Sequence, residues 1–512
     1  MPKFYLSTPI YYINDVPHIG HAYTTIVADV LARYHRLKGA EVFFLTGTDE
    51  NSQKNFEAAR LAGERDLKKY LDKMSAKWQS TWDTLGITNN DFIRTTEKRH
   101  LDAVKKFWLK VQKKGDIYQG TYEGYYCVGC EAFVTETDLI DGNCAIHKKP
   151  AKKIKEKNYF FRLTNYRDAL LSHIAKNPDF IQPIKRRNEI VNYIRDFMTD
   201  ISISRQNFVC GIPVPNNRQQ AIYVWFDALI NYLTAVDYGA QTIKGKAHFK
   251  KLWPADLQLV GKDILKFHAA LWPCMLMSAD LPLPKTIFAH GYFTINGDKM
   301  SKSIGNVVDP VELAKIYSND TLRWFLLSEI KFGEDGDFSL VRLKDGYNNK
   351  LANELGNLVH RVLSMTEKYC AGKVPKFSTA AEGLDPLCEI DIWRDYESAM
   401  DHFRFDEALG SVWKVVATAN QLIDKEKPWD LAKNDSTRGR LNDLMYNLLE
   451  TLRQLGWLLL PIMPETAGKI WTQLGLTVGK EKAKDLNKAK IWGGLKAEIK
   501  INKGEPIFPK IL

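Results

Sequence analysis

The stretch FYLSTPIYYINDVPHIGHAYTTIVADVLARYHRLKGAEVFFL (residues 4–45) decides the fold. Residues 4–8 are apolar and strand-like, and Pro9 marks their expected end. From His21 to Leu37 the apolar residues Ile26, Val27, Val30, Leu31 and Tyr34 recur at helical spacing, and Gly39 stops the run. Residues 41–45 (EVFFL) form a second strand that Gly47 closes. Strand, helix and strand in about forty residues make a βαβ unit, the building block of parallel sheets. The same texture returns at residues 257–260, in a helix from Ile264 towards Met277, and in a strand at 286–290. An α/β domain is therefore expected, split by an insertion over roughly 116–215.

Beyond residue 350 the texture changes. Residues 351–371, 396–424 and 441–460 carry long helical periodicity, which predicts a helical bundle. At 512 residues the chain should hold about three domains, one of them interrupted. Its 45% hydrophobic content excludes disordered and low-complexity classes. A net charge of +11 points to a polyanionic partner, and much of the surplus lies in two places. Residues 148–157 carry six lysines against one glutamate, and residues 480–512 carry nine lysines against four acids. Seven cysteines are few and odd in number, which favours a reducing, cytoplasmic compartment over a disulfide scaffold. No apolar leader and no run of about 20 apolar residues is present, so neither secretion nor a membrane span is expected.

Three motifs carry chemistry. His18, Gly20 and His21 lie between the first strand and the first helix, where unpaired N–H groups and the positive dipole end suit phosphate. Two imidazoles there can hydrogen-bond to a phosphoryl or nucleotidyl transition state, and Gly20 leaves room for a base against the backbone. Lys299, Met300, Ser301, Lys302 and Ser303 follow a late strand between Gly297 and Gly305, and their ammonium groups suit a triphosphate. Cys127 and Cys130, then Cys144 and His147 after thirteen intervening residues, have the spacing of a tetrahedral Cys3His zinc site. Four protein ligands leave no open position, so one structural zinc ion is expected.

The pair PHIGH (17–21) and KMSKS (299–303) resembles class I aminoacyl-tRNA synthetases. Within that class the resemblance is to the methionyl-tRNA synthetase family, and it runs from about residue 4 to the end of the chain. It rests on TPIYYINDVPHIGHAYT (8–24), FLTGTDE (44–50), YCVGCEAF (126–133), NYFFRL (158–163), YVWFDALINY (223–232), GKDILKFHAALWP (261–273), HGYFTINGDKMSKSIGN (290–306), LANELGNLVHR (351–361) and KPW (427–429). Two departures stand out. Asn51 and Ser52 replace the His-Gly usual after this Thr-Asp-Glu, and the family often carries an aromatic residue before the glycine near Cys210.

The resemblance implies a doubly wound, Rossmann-type parallel-sheet catalytic domain in two halves (1–115 and 216–320), split by a zinc-binding insertion (116–215). A stem-contact linker (321–350) and a helical-bundle anticodon-binding domain with a basic tail (351–512) follow. It implies a methionine–tRNA ligase that forms methionyl adenylate from L-methionine and ATP, with Mg2+ accompanying the ATP, and then charges initiator and elongator tRNA. The terminal ribose takes the methionyl group, first at its 2′-hydroxyl. His18, His21, Lys299 and Lys302 are the implied catalytic residues, with Gly20, Met300, Ser301 and Ser303 beside them at ATP. Ile10, Tyr12, Asp49, Trp225, Leu229, Tyr232, Asp263, Ile264 and His268 match the methionine site, Asp49 holding the ammonium group, and Arg205 matches a further polar position. Aromatic edges around an adaptable cavity suit a thioether. Asn357, Arg361 and Trp429 match positions that read the anticodon, two by hydrogen bonds and one by stacking. An enzyme for valine, isoleucine or leucine would need a longer insertion for editing. A cysteine enzyme would place its zinc in the catalytic domain, and a non-catalytic RNA-binding relative could lose either motif. No appended oligonucleotide-binding domain follows the bundle, so a monomer is expected. Replacing Lys302 by alanine should suppress methionine-dependent ATP–pyrophosphate exchange while leaving methionine affinity largely intact; unchanged exchange would contradict this reading.

Overall fold

The computed structural model describes residues 2–127, 132–134, 139–145, 148, 150–206, 210–299, 306–377 and 392–511. The chain divides into two compact units, residues 1–32 with 41–291, and residues 33–40 with 292–512. The first unit is built on a six-stranded, wholly parallel sheet. Its strands run in the order Asp91–Arg94, Glu41–Asp49, Lys3–Tyr12, Leu257–Gly261, Thr286–His290 and Ile181–Gln182.

Two strands extend further than their punctuating residues suggest. The first runs through Pro9 to Tyr12, because its pairing with the second strand shifts register between Ser7 and Ile10. A bulge tolerates a residue that has no N–H to donate. The second continues through Gly47 to Asp49, since a Cβ on Gly47 would stand 2.1 Å from the Ile93 carbonyl oxygen. Glycine there marks a close approach of two strands, not a strand end. Between the first two strands lies the helix Ile19–Leu37, and Gly39 turns the chain with φ 81°. Helix Lys98–Lys113 buries His100, Ala103, Val104, Phe107, Trp108 and Val111, spaced three and four apart, on one face. Each large apolar side chain so buried contributes about 1.5–3 kcal/mol.

The stretch from Ile264 to Met277 is helical throughout, but one turn of it is wider than an α-helix. A π-helical turn, Phe267–Leu271, precedes the α-helix Trp272–Ser278. Pro273 has no N–H for the carbonyl four residues earlier, so the turn widens. The insertion carries an antiparallel sheet whose two long strands, Ile117–Cys127 and Lys152–Phe161, pair from Ile117 opposite Phe161 to Tyr126 opposite Lys152. Much of the lysine run thus lies on a strand, with Lys152, Lys153, Lys155 and Lys157 exposed and Asn158 buried.

In the second unit, strands Phe293–Ile295, Asp298–Lys299 and Gly336–Phe338 form a small sheet ahead of the helices Asn357–Tyr369, Ile392–Asp401, Phe405–Glu426, Arg438–Leu459 and Pro464–Gln473. The periodic stretch 396–424 breaks at Phe403, whose φ of 60° is left-handed and ends a helix. Helix Arg438–Leu459 is buried on nearly every side from Asp443 onward. Its polar residues are held by the C-terminal segment. Glu450 accepts backbone N–H groups from Gly493, Gly494 and Leu495, and the guanidinium of Arg453 joins Glu450 (2.6 Å) and Glu481 (3.3 Å). The lysine-rich tail is therefore part of this core, with Leu486, Leu495, Ile501, Ile507 and Phe508 buried. Among the described residues no helix is long and apolar enough to cross a membrane. Substituting Arg453 by methionine removes the guanidinium shared by two buried carboxylates and leaves Glu450 with backbone N–H donors but no cation, and should lower the unfolding free energy of this unit by about 3–5 kcal/mol in urea titrations.

Candidate active site

Parallel strands bring their carboxyl ends to one edge, and the first unit gathers its polar and aromatic side chains there. The first strand ends in Ile10 and Tyr12, and Tyr12 is in register with Asp49 at the end of the second. The neighbouring strand Leu257–Gly261 leads directly into Asp263, Ile264 and the π-helical turn that carries His268.

His18 and His21 stack at the start of the first helix with ring centroids 3.7 Å apart. The Gly20 N–H donates to His18 Nδ1 (3.1 Å) and the His18 N–H donates to His21 Nδ1 (3.3 Å). Both rings therefore accept at Nδ1 and keep Nε2–H as the donor. A Cβ on Gly20 would stand 3.1 Å from the His18 ring, so glycine also admits the stack. Burial pushes the His18 imidazole down to about 4, against a smaller upward pull from Asp15, and pushes His21 well below the usual histidine range. Two neutral N–H donors at a helix N-terminus can bind a phosphate whose charge is developing. Tyr11 and Trp78, each about 5 Å from His21, back the pair, and the Trp78 indole donates to the Asp15 carbonyl (2.8 Å). Further along the same helix, Thr24 Oγ1 meets His290 Nε2 at 2.7 Å, while His290 Nδ1 lies 2.8 Å from the Gly291 carbonyl.

A second cluster lies around His268. Its Nδ1 donates to the Ile264 carbonyl (3.0 Å), which leaves Nε2 to accept from the Tyr232 hydroxyl (2.9 Å). Burial lowers His268 to about 4 and raises Tyr232 far above the ordinary phenol range, so both stay neutral. Trp225 stands edge-on to His268 at 6.3 Å and stacks on Phe267 at 4.1 Å. Leu229 is buried in the same core, with Ile10, Trp225 and Ile264 packed against it. Asp49 is 3% exposed, and its carbonyl accepts from Asn55. Lys54 places its ammonium 4.5 Å from the Tyr12 ring centre, a cation–π contact. Asp263 is exposed beside Gly261.

The structure thus brings Trp225, Tyr232, His268, Leu229, Ile10 and Ile264 into one cluster, with Tyr12 and Asp49 opposite each other at the sheet edge. Arg205 is committed elsewhere, as a bidentate partner of Glu156 stacked over Tyr126. Lys299 ends a hairpin strand in the second unit, and Met300, Ser301, Lys302 and Ser303 lie outside the described residues. Cys130 and His147 also lie outside them, whereas Cys127 and Cys144 are buried in one small cluster with Tyr125, Leu139 and Ala151 packed against it. In the bundle, Asn357 is exposed, Trp429 is 41% exposed, and Arg361 reaches Asp424 (2.7 Å).

Sequence reading misses several residues. Glu50 is buried and takes a bidentate guanidinium from Arg94. Asn51 donates to the Thr95 carbonyl (3.2 Å) and to Asp227 Oδ2 (3.1 Å), and Ser52 caps the helix Gln53–Leu61. Phe267 supports Trp225. Glu50, Asp227 and Phe267 lie inside the quoted motif stretches and Asn51 and Ser52 directly after one, but only contacts between distant segments give them these roles.

A family model described as tRNA synthetases class I (M) matches residues 4–137 and 130–363, which together with the parallel sheet places the chain in class I. The methionine–tRNA ligase of Caldanaerobacter subterraneus subsp. tengcongensis is 46% identical over 510 residues, spanning 99% of this chain and 79% of that one. That of Thermotoga maritima is 44% identical over 516 residues, spanning 99% and 80%. Mycobacterium tuberculosis methionyl-tRNA synthetase in complex with methionyl-adenylate superposes with a TM-score of 0.94 at 38% identity, covering 99% of this chain and all of that one. The chain belongs to the methionyl-tRNA synthetase family.

The buried neutral histidines set a pH dependence. His268 and His290 are held near 4 in the fold, while in the unfolded chain they return to about 6.5. As pH falls below 6.5 the unfolded state takes up protons first, so stability present at neutral pH is lost. Each should cost about 2 kcal/mol at pH 5 relative to pH 7.5, measurable by urea unfolding and reduced in a His268→Asn variant.

Proposed function

We infer that this chain activates L-methionine with ATP and transfers it to the 3′-terminal ribose of tRNA(Met). The observation that carries the reading is the Trp225, Tyr232 and His268 cluster beside the sheet edge that also presents the stacked His18–His21 pair. A neutral imidazole and a neutral phenol locked to each other present aromatic surface without charge, which suits a thioether and rejects a charged side chain. Ile10, Leu229 and Ile264 supply apolar wall, Tyr12 closes it, and Asp49 takes the substrate ammonium group with Asp263 at the mouth.

The methionine carboxylate attacks the α-phosphorus of ATP, the bond to the bridging oxygen breaks and pyrophosphate leaves. The 2′-hydroxyl of the terminal ribose then attacks the carbonyl carbon and AMP leaves. His18 and His21 donate Nε2–H to phosphate oxygens, and Gly20 lets the adenosine approach the backbone. Lys299 and Lys302, with Met300, Ser301 and Ser303, are assigned to the polyphosphate by the motif. Mg2+ enters with ATP and supplies charge screening. No protein nucleophile is needed, because the substrate carboxylate fills that role.

Cys127, Cys130, Cys144 and His147 are assigned to one structural zinc ion. The support is their spacing and the shared burial of Cys127 and Cys144. Asn357, Arg361 and Trp429 are assigned to the anticodon of initiator and elongator tRNA, supported by the exposure of Trp429 and Asn357. Residues 1–115 and 216–320 then serve activation, 116–215 and 321–350 the acceptor side, and 351–512 the anticodon. A cytoplasmic setting is supported by the cysteine usage, and a monomer is part of the same proposal. The test is ATP–pyrophosphate exchange with methionine, cysteine, leucine, isoleucine and valine. Only methionine should support it, and Trp225→Ala should raise the methionine KM about 10- to 200-fold, on the scale of 1–3 kcal/mol for lost packing. Equal exchange with another amino acid would defeat the reading.

A further inference from the structure

The mechanism uses neither Asp227 nor His100, yet both are fully buried and paired. Asp227 Oδ1 meets His100 Nε2 at 3.1 Å, and Asp227 Oδ2 accepts from Asn51 Nδ2 at 3.1 Å. The other ring nitrogen of His100 lies 3.1 Å from Thr234 Oγ1. The Asn51 amide also donates to the Thr95 carbonyl, just past the strand Asp91–Arg94. One carboxylate thereby joins four segments: the end of strand Glu41–Asp49, the end of strand Asp91–Arg94, helix Lys98–Lys113 and helix Val224–Ala228.

Their positions in the chain give this network a meaning. Asn51 follows Asp49 by two residues, Asp227 follows Trp225 by two, and Thr234 follows Tyr232 by two. Each tie therefore sits beside one assigned contact to the amino acid, on backbone that cannot move independently of it. Burial pushes the Asp227 carboxyl up, while hydrogen bonds from His100 and Asn51 pull the other way. A buried carboxylate keeps such bonds because leaving it unpaired costs far more than the bonds gain.

We propose that Asp227 is a positioning residue that fixes the separation between the ammonium anchor at Asp49 and the side-chain wall at Trp225 and Tyr232, and so sets the length of amino acid the site accepts. Asn51, which stands where the family usually has histidine, is its partner in this chain. The proposal rests on the assignment of the methionine site above, and its test keeps the two apart.

The experiment is steady-state ATP–pyrophosphate exchange with the full chain, comparing methionine with ethionine, one methylene longer. Asp227→Asn should raise the methionine KM about tenfold, leave the ATP KM within about twofold, and narrow the preference for methionine over ethionine. Asn51→Asp, which sets two carboxylates face to face, should do the same. The double variant, which restores an amide facing a carboxylate, should recover most of the loss. If Asp227→Asn does not fold, Asn51→Ser removes one tie and keeps the His100 pair, with an expected rise of about threefold. Equal changes in both KM values, or a lower melting temperature with unchanged methionine kinetics, would overturn the proposal. If Trp225→Ala leaves the methionine KM unchanged, it is the site assignment that fails.

Discussion

The parallel register of the first strand is the constraint on which the rest depends. It bonds to Glu41–Asp49 on one side and to Leu257–Gly261 on the other, two segments more than 200 residues apart in the chain. In a parallel sheet every strand delivers its carboxyl end to the same edge. Tyr12, Asp49, the turn after Gly261 and His290 arrive there together for that reason. A slip of one residue would turn Tyr12 and Asp49 to opposite faces. The bulge after Ser7 and the contact of Gly47 with the Ile93 carbonyl hold that register in place.

At that edge burial governs the chemistry. Histidine is usually poised to gain a proton near neutral pH, but His18, His21, His268 and His290 are all held lower by desolvation. His18 and His21 therefore offer oriented N–H dipoles and not imidazolium charges. Such dipoles strengthen contacts to a charge that grows during reaction without binding the ground state too tightly. The carboxylates follow the opposite rule: Glu50, Asp227 and Glu450 are buried only where guanidinium, imidazole, amide or backbone N–H groups surround them.

Much of the fold was legible because periodicity is local. Strand, helix and strand over residues 4–45, and the long helices after 350, follow from spacing alone. The misreadings share one cause. Pro9 and Gly47 are strand breakers by propensity, yet a bulge and a crowded neighbouring strand make each one fitting. Pro273 widens a turn of a helix that the apolar pattern carries straight through, and Phe403 breaks the periodic stretch in the bundle. In the site, short motifs pointed to His18, His21, Trp225, Tyr232 and His268 because each lies within a few residues of others with related chemistry. Nothing local pointed to His100, which meets Asp227 across 127 positions.

The sequence by itself determined the fold class, the motifs and the family they resemble, since those depend on residue type and short spacing. It also determined the charge surplus, though not its setting: the C-terminal lysines belong to a segment that closes the bundle core around Glu450 and Arg453. Only the tertiary structure decided which nitrogen of His18 and His21 carries the proton, which carboxylates are buried, and how Asn51 is used in place of the family's histidine. Those outcomes depend on groups distant in the chain becoming neighbours away from water. There, desolvation and hydrogen-bond geometry outweigh any preference that a residue carries alone.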